Sequence, residues 1–320
     1  MKAKARAHAN IALIKYWGKS DESLSLPNNS SLSLTLDKFY TETEVEFKED
    51  LLNDVFYLNG KRDDITLSKV SEFLDLFRKA KRFKTKAVVK SVNYVPTAAG
   101  LASSSSAFAA LAVAANKASG LNLSEKELST YARKGSGSAT RSIYGGLVEW
   151  QKGSSDKTSY AIKIDEADWD LGMVIVIVNR EEKKLSSRQG MKQTVNTSPF
   201  YSLWPKACEQ DLIDIKVAIK NKDLKTMGEI SERNALMMHA TMMAANPPII
   251  YFQAKTLMVM SEVEKLRSEG ILAYYTMDAG PNVKILCKLS EAAHIKERLS
   301  NNFDKDDIVV SGVGCGAKII

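Results

Sequence analysis

Alternating apolar and polar residues dominate the first half of the chain and predict β-strands there. A strand is expected over residues 3–17, and alternating strands at 32–36 and 39–47 would form a meander. Apolar residues spaced three and four apart then predict helices over 64–82, 101–119 and 125–134.

Helical spacing prevails in the second half. A nearly continuous apolar strand at 171–178 is followed by a charged break, so we place a domain boundary at residue 184 and expect domains at 1–184 and 185–320. The strand and helix order of the second domain suits a split βαβ, ferredoxin-like sandwich with extra helices, and the fold class is therefore α+β.

Length and composition narrow the function classes. A chain of 320 residues is long enough for two domains, and a net charge of +7 suits an anionic small substrate as well as nucleic acid. Three scattered cysteines without a CxxC pair indicate neither a zinc site nor a disulfide framework, which fits a reducing cytoplasm. With no apolar run of about 18 residues and no signal-like start, we expect no export and no membrane span.

A serine-rich turn at 94–108 is the first candidate site. Pro96 ends the preceding strand, Gly100 allows close backbone approach, and Ser103 begins a run of hydroxyls where a helix starts. A helix N-terminus binds phosphate well, although an ordinary serine-capped helix has the same pattern. A second stretch rich in glycine and hydroxyls lies at 135–146, and without a GxxxxGK[ST] motif a P-loop NTPase is excluded.

Four other positions carry candidate charges. Lys15 and Lys19 lie near a hydrophobic segment and could line the mouth of a pocket or be solvated. Arg188 falls in the first turn of a helix capped by Ser186 or Ser187, where the helix dipole disfavours a cation. Either a bound anion or contact with solvent would explain an arginine at that position. Asp278 ends an apolar strand and is a candidate base or a turn-forming aspartate.

Five segments together resemble one enzyme family. PTAAGLASSSS at 96–106 resembles the phosphate-binding motif of the galactokinase, homoserine kinase, mevalonate kinase and phosphomevalonate kinase superfamily. ANIALIKYWGK (9–19), LPNNSSLSLTL (26–36), SGSATRS (136–142) and MDAGPNVK (277–284) narrow the resemblance to the mevalonate diphosphate decarboxylases. Ala9 replaces a frequent threonine, and Ser105 and Ser106 replace a usual alanine.

The resemblance implies a fold, a reaction and ligands. The N-terminal domain would be similar to domain 2 of ribosomal protein S5, with a substrate cleft between the two domains. The implied reaction is ATP-dependent decarboxylation of mevalonate 5-diphosphate through phosphorylation of its 3-hydroxyl, which gives isopentenyl diphosphate, ADP, phosphate and CO2. ATP and Mg2+ are the implied cofactors, and a cytoplasmic homodimer is expected.

The resemblance also implies roles for individual residues. Asp278 would orient or deprotonate the substrate alcohol, Arg141 would pair with its carboxylate, and Asn10 would fix Arg141 or the substrate. Lys15 is either a charge of the site or a structural lysine. The remaining substrate-binding residues would be Tyr16, Lys19, Ser136, Ser138, Ser187 and Arg188. The ATP-binding residues would be Pro96, Ala99, Gly100, Leu101, Ala102, Ser103, Ser104 and Ser105. No dedicated metal site is expected, since magnesium would arrive with ATP and have Ser104 as a candidate ligand.

Two other functions remain open on the sequence. A kinase of the same superfamily, acting on mevalonate or its phosphate without decarboxylation, would share the fold and the aspartate. An RNA-binding module would suit a basic chain with an S5-like half, but no aromatic and basic RNA signature occurs, so we expect no nucleic-acid partner.

Overall fold

A computed structural model gives the architecture and describes residues 1–94, 103–181 and 185–320. The strands are β1 (Lys2–Ile14), β2 (Lys19–Asp21), β3 (Leu26–Pro27), β4 (Ser31–Lys48), β5 (Val55–Leu58), β6 (Lys61–Arg62), β7 (Lys86–Tyr94), β8 (Leu147–Trp150), β9 (Ala161–Asp165), β10 (Gly172–Val176), β11 (Ala273–Met277), β12 (Val283–Cys287), β13 (Ile308–Ser311) and β14 (Lys318–Ile319). The α-helices are α1 (Asp64–Lys81), α2 (Ser103–Ser119), α3 (Glu125–Gly135), α4 (Ser187–Thr197), α5 (Trp204–Lys220), α6 (Leu224–Met243), α7 (Ala254–Ser268) and α8 (Ala292–Leu299).

The first sheet is built around β1 and β4. Its strand order is β14-β1-β4-β7-β5-β6, and β8 pairs with β4 and carries β9. The predicted meander is wrong, because β4 runs unbroken through Asp37 and Lys38 and pairs with β1 on both sides of an irregularity at His8 and Asn10. Asp37 makes no turn; its carboxylate instead accepts hydrogen bonds from the Ser311 hydroxyl and the Gly312 N–H.

The second sheet has the order β11-β12-β10-β13 and is antiparallel throughout. Two sheets with helices packed on them confirm the predicted two-domain α+β class. The domain boundary at residue 184 stays a prediction; β10 precedes it in sequence yet pairs with β12 and β13 of the second sheet.

Helix ends follow local chemistry. Asp63 caps α1 by accepting from the Ile65 and Thr66 N–H groups. Ser124 and Ser186 begin α3 and α4 with capping boxes, in which the third helical residue, Glu127 or Gln189, bonds back to the cap.

A shared hydrophobic core joins the two sheets at the end of β1. Leu13 of β1, Ile175 of β10 and Met238 of α6 belong to one buried cluster. Because α6 packs against both β1 and β11, it fixes the end of β1 close to the turn that follows β11. That junction holds the polar residues described next.

Candidate active site

A cluster of three charges joins the two domains. Lys15, directly after β1, donates from Nζ to Asp278 Oδ1 at 2.9 Å and to the Ala12 carbonyl at 2.7 Å. Lys284 of β12 lies 3.3 Å from the other carboxylate oxygen of Asp278. Both lysine side chains are 1% exposed, whereas that of Asp278 is 24% exposed. Of the three groups, the carboxylate is therefore the one that a ligand can reach.

Burial and charge pairing set the protonation of this cluster. Burial alone would raise the pKa of Asp278, but Lys15 and Lys284 outweigh it and hold that pKa below its usual value. Burial lowers the pKa of Lys15 to about 8, a shift that Asp278 opposes. At neutral pH, Asp278 is therefore an anion and Lys15 is mostly a cation.

Arg141 lies in the 3-10 helix Gly137–Ile143 and is 2% exposed. Its Nε donates to Ser33 Oγ at 2.9 Å and to Asn10 Oδ1 at 3.3 Å, and its Nη1 donates to Ser31 Oγ at 2.5 Å. Burial lowers the pKa of Arg141 to about 10, and the nearby Asp278 carboxylate opposes that shift. Its Nη2 makes no hydrogen bond within the part of the chain that the structure describes.

Asn10 anchors Arg141 to the 3-10 helix. Its Nδ2 donates to the Ser138 carbonyl at 3.0 Å and to Ser142 Oγ at 2.7 Å, which leaves Oδ1 to accept from Arg141. Of the two functions predicted for Asn10, this geometry supports fixing Arg141.

Lys19 and Arg188 converge on one carboxylate, that of Glu22. Lys19 Nζ and Arg188 Nη2 each lie 3.4 Å from Glu22 Oε2. Lys19 is 10% exposed and Arg188 is 69% exposed, so the pair lines an open surface. Burial lowers the pKa of Lys19, Glu22 opposes the shift, and Arg188 adds to it. The two cations thus lie close enough to share one anion.

Tyr16 is near enough to both groups to be influenced by their charges. Its ring contacts Trp150 edge to face at 4.7 Å, and its hydroxyl is buried without a hydrogen-bond partner among the described residues. Burial raises the pKa of this phenol, and the charges of Glu22, Arg141 and Arg188 all act on it. A neutral O–H donor is therefore placed near both Arg141 and Arg188.

A row of hydroxyls connects the start of α2 with the 3-10 helix. Ser104 and Ser136 share a hydrogen bond at 3.1 Å, and Ser136 and Ser138 share one at 3.3 Å. Ser104 is exposed, whereas Ser105 is buried. The predicted nucleotide and substrate hydroxyls are thus neighbours, and an exposed helix start rich in hydroxyls is suited to an anion.

Part of the predicted nucleotide site lies outside the described residues, namely Pro96, Ala99, Gly100, Leu101 and Ala102. Ser103 is the first residue of α2. Ser187 is the first residue of α4, after the cap Ser186, and it places Arg188 in the first turn as predicted.

Sequence reasoning gave no role to several residues of the site, namely Glu22, Ser31, Ser33, Asn234, His239 and Lys284. Lys284 had a usable signal, because a lysine between Val283 and Ile285 in an apolar strand needs a buried partner. Glu22 had none, since its contact with Arg188 spans 166 positions.

Neither a grouped set of metal ligands nor a membrane-spanning helix occurs in the described part of the chain. Among the described residues, no three His, Cys, Asp or Glu side chains are grouped as a metal site requires. No helix within those same ranges is long and apolar enough to cross a membrane.

The fold and the site define a class: a two-domain α+β protein that gathers cations, hydroxyls and carboxylates at the junction of its domains, as an enzyme acting on a small anion requires. Residues 7–161 match the model of the diphosphomevalonate decarboxylase-like N-terminal domain, and residues 173–313 match that of the mevalonate 5-diphosphate decarboxylase C-terminal domain. The chain belongs to the diphosphomevalonate decarboxylase family.

Individual relatives agree with this assignment. The diphosphomevalonate decarboxylase of Candida albicans is 37% identical over 88% of this chain and 83% of its own length, and that of Homo sapiens is 36% identical over 87% and 75%. The crystal structure of the mevalonate diphosphate decarboxylase from Staphylococcus aureus superposes with a TM-score of 0.97 at 49% identity and covers 100% of this chain and 98% of that one. MDDEF in complex with MVAPP, AMPPCP and magnesium has a TM-score of 0.95 at 50% identity, with coverage of 100% and 99%.

Proposed function

We propose that this protein converts mevalonate 5-diphosphate and ATP into isopentenyl diphosphate, ADP, phosphate and CO2. Membership of the family supports the reaction. The observation that carries the proposal for this chain is the accessible Asp278 carboxylate, held between Lys15 and Lys284 and close to Arg141. The reaction acts on an alcohol and a carboxylate that neighbouring carbons carry. It therefore needs a protein anion for the alcohol and a protein cation for the carboxylate, side by side.

Asp278 orients the 3-hydroxyl of the substrate. Because Lys15 and Lys284 keep its pKa low, Asp278 is a weak base. In the ground state it therefore only accepts a hydrogen bond from the 3-hydroxyl. The proton transfers only as the oxygen bonds to the γ-phosphorus of ATP. Phosphoryl transfer depends mainly on positioning and charge stabilisation, so a weak, well-placed base is sufficient.

Arg141 holds the substrate carboxylate. Its Nη2 has no hydrogen bond to a described residue, and the serines on Nε and Nη1 fix the plane of the guanidinium. When the new phosphate leaves C3 with its bonding electrons, the C1–C2 bonding pair becomes the C2=C3 double bond and C1 departs as CO2. The Asp278 anion favours the positive charge that develops at C3.

Lys19, Arg188 and the Tyr16 hydroxyl bind the diphosphate. Two cations and one buried donor converge on a space that Glu22 now borders, so Glu22 must give up its two contacts when the substrate arrives. Arg188 and Glu22 are both exposed, so their contact is worth at most about 1 kcal/mol. A diphosphate with more than one negative charge therefore replaces Glu22 readily.

ATP binds at the start of α2, where the Ser104 and Ser136 hydroxyls and the positive end of the helix dipole suit its phosphates. Ser103, Ser105 and the 96–102 segment complete this proposed site, and Ser138 and Ser187 complete the substrate site. Magnesium bound with ATP neutralises phosphate charge, and Ser104 is its candidate protein ligand.

Three further expectations belong to the proposal. They are the domain boundary at residue 184, a homodimer and a cytoplasmic location. Free cysteines fit the last of these: Cys208 and Cys287 are buried and Cys315 is exposed, each as a thiol.

Product analysis tests the function directly. Purified protein with mevalonate 5-diphosphate and MgATP should release CO2 and ADP in a one-to-one ratio. ADP from mevalonate or its 5-phosphate, with no CO2 from mevalonate 5-diphosphate, would instead establish the kinase alternative, and no ADP from any of the three substrates would refute both. Mevalonate and its 5-phosphate serve as matched substrates that lack the diphosphate.

A further inference from the structure

Side chains, rather than strand pairing, hold the backbone of Lys15. The strand β1 ends at Ile14, so the N–H and C=O of Lys15 need other partners. The N–H donates to Asn234 Oδ1 at 2.8 Å, and the C=O accepts from Asn29 Nδ2 at 2.8 Å. With Nζ bound to Ala12 and Asp278, Lys15 is fixed at both its backbone and its side-chain end.

Asn234 itself has a fixed orientation. Its Nδ2 donates to Asp211 Oδ2 at 2.8 Å, and the Asp211 carboxylate also pairs with Arg233. Asn234 is 0% exposed and Asp211 is 3% exposed. The site requires an acceptor facing the Lys15 N–H and a donor facing the Asp211 carboxylate, and an amide supplies both.

The same helix also contacts Asp278. His239, five residues after Asn234 on α6, lies close enough to the backbone of Asp278 to interact with it electrostatically, and its ring stacks on Phe252 at 4.3 Å. Its ring is 1% exposed and its Nε2 has no partner among the described residues. Burial lowers the pKa of His239 to about 3, so the ring is neutral. One helix thus contacts the backbones of both Lys15 and Asp278.

We propose that α6 positions the Lys15 and Asp278 pair, and that Asn234 is a positioning residue that aims Lys15 at the carboxylate. This inference rests on the proposed function of Asp278. Arg233 and Asp211 fix the orientation of Asn234, and Asn234 in turn fixes the position of Lys15. No substrate contact is assigned to any of these α6 and α5 residues.

Loss of Asn234 should change the chemistry of Lys15 as well as folding. The groups that face Lys15 are Asp278 from the turn after β11, Lys284 from β12, Arg141 from the 3-10 helix and His239 from α6. Asp278 supports the Lys15 cation, while Lys284 and Arg141 oppose it. If Lys15 shifts away from Asp278, its ammonium therefore loses its proton at a lower pH.

The first test is Asn234→Ala, with Asn302→Ala, at an exposed position, as the matched control. We expect kcat to fall about 10- to 100-fold, since small displacements of reacting groups have effects of that size. KM for both ligands should stay within about twofold, because no ligand contact is removed. The alkaline limb of the kcat profile should move to lower pH. A loss equal to the unfolded fraction measured by circular dichroism, with the limb unmoved, would overturn the proposal.

The second test remains decisive if Asn234→Ala does not fold. Asn234→Asp sets two carboxylates against each other, and Asn234→Asp with Asp211→Asn restores a donor and acceptor pair. The double variant should recover at least about tenfold of the kcat lost in the single variant. Equal kcat in the two would refute the coupling. Wild-type CO2 release is measured alongside, so failure of the proposed function is seen separately from failure of the positioning role.

Discussion

Replacing Asp278 by asparagine removes the one accessible charge of the central cluster while keeping its shape. The substitution leaves Lys15 and Lys284, each 1% exposed, without their shared anion. Because Asp278 raises the pKa of Lys15, its loss lowers that pKa below about 8. A larger share of Lys15 is then neutral at pH 7, which relieves the repulsion between the two lysines.

The expected loss of turnover is about 10²- to 10⁴-fold, the usual contribution of a positioned proton acceptor. That range corresponds to about 3–5 kcal/mol of transition-state stabilisation. Binding of mevalonate 5-diphosphate should remain, since Lys19, Arg188 and Tyr16 are untouched.

Two measurements separate these effects. Single-turnover CO2 release reports the chemical step, and isothermal titration calorimetry reports substrate binding. Asp307→Asn is the matched control, because Asp307 pairs with the exposed Arg180 at the edge of the second domain. Near-normal turnover in Asp278→Asn would remove Asp278 from the mechanism, and loss of substrate binding would contradict the separation of roles.

Three further changes have distinct expected results. Arg188→Ala should raise KM for mevalonate 5-diphosphate by about 10- to 100-fold and leave kcat within about twofold, because a charged hydrogen bond is worth about 1.5–3 kcal/mol and acts on ground and transition states alike. Steady-state kinetics, with Arg62→Ala as the control, checks this expectation. A loss of kcat alone would contradict it. Activity should fall as pH rises through about 8, where Lys15 loses its proton; a flat kcat profile from pH 7 to 9.5 would show that its charge is not required. Asp54→Asn should reduce the free energy of unfolding by about 3–5 kcal/mol, because Asp54 and Arg78 form a buried ion pair at 2.5 Å. The control, Asp64→Asn at an exposed ion pair, should change it by less than about 1 kcal/mol. Urea titration measures both values.

Local patterns explain most elements of the fold. The helix predicted over 125–134 is observed as α3, Glu125–Gly135, because its helical spacing is regular and Ser124 caps it. The strand β4 shows the limit of such patterns, since Asp37 and Lys38 interrupt the alternation like a turn. What keeps the strand straight there is pairing with β1 and the contact between Asp37 and Ser311, 274 positions away.

The candidate site, like the fold, is only partly predictable from the sequence. Lys15 and Asp278 are individually noticeable in the sequence, as charges beside apolar segments, whereas Arg141 lies in a stretch rich in glycine and hydroxyls and is implied only by the family resemblance. The relation between Lys15 and Asp278 is not noticeable, because their contact spans 263 positions and depends on how α6 joins the two sheets. The same holds for Asn234, whose role follows only from where β1 ends.

The central claim is that the 3-hydroxyl is phosphorylated and leaves as phosphate when CO2 is lost. Mevalonate 5-diphosphate labelled with ¹⁸O at the 3-hydroxyl, turned over with unlabelled MgATP, tests it by mass spectrometry of the released phosphate. We expect one ¹⁸O atom in each inorganic phosphate, which should form in step with CO2. Unlabelled phosphate with the ¹⁸O in water would contradict it, because the hydroxyl would then have left without being phosphorylated.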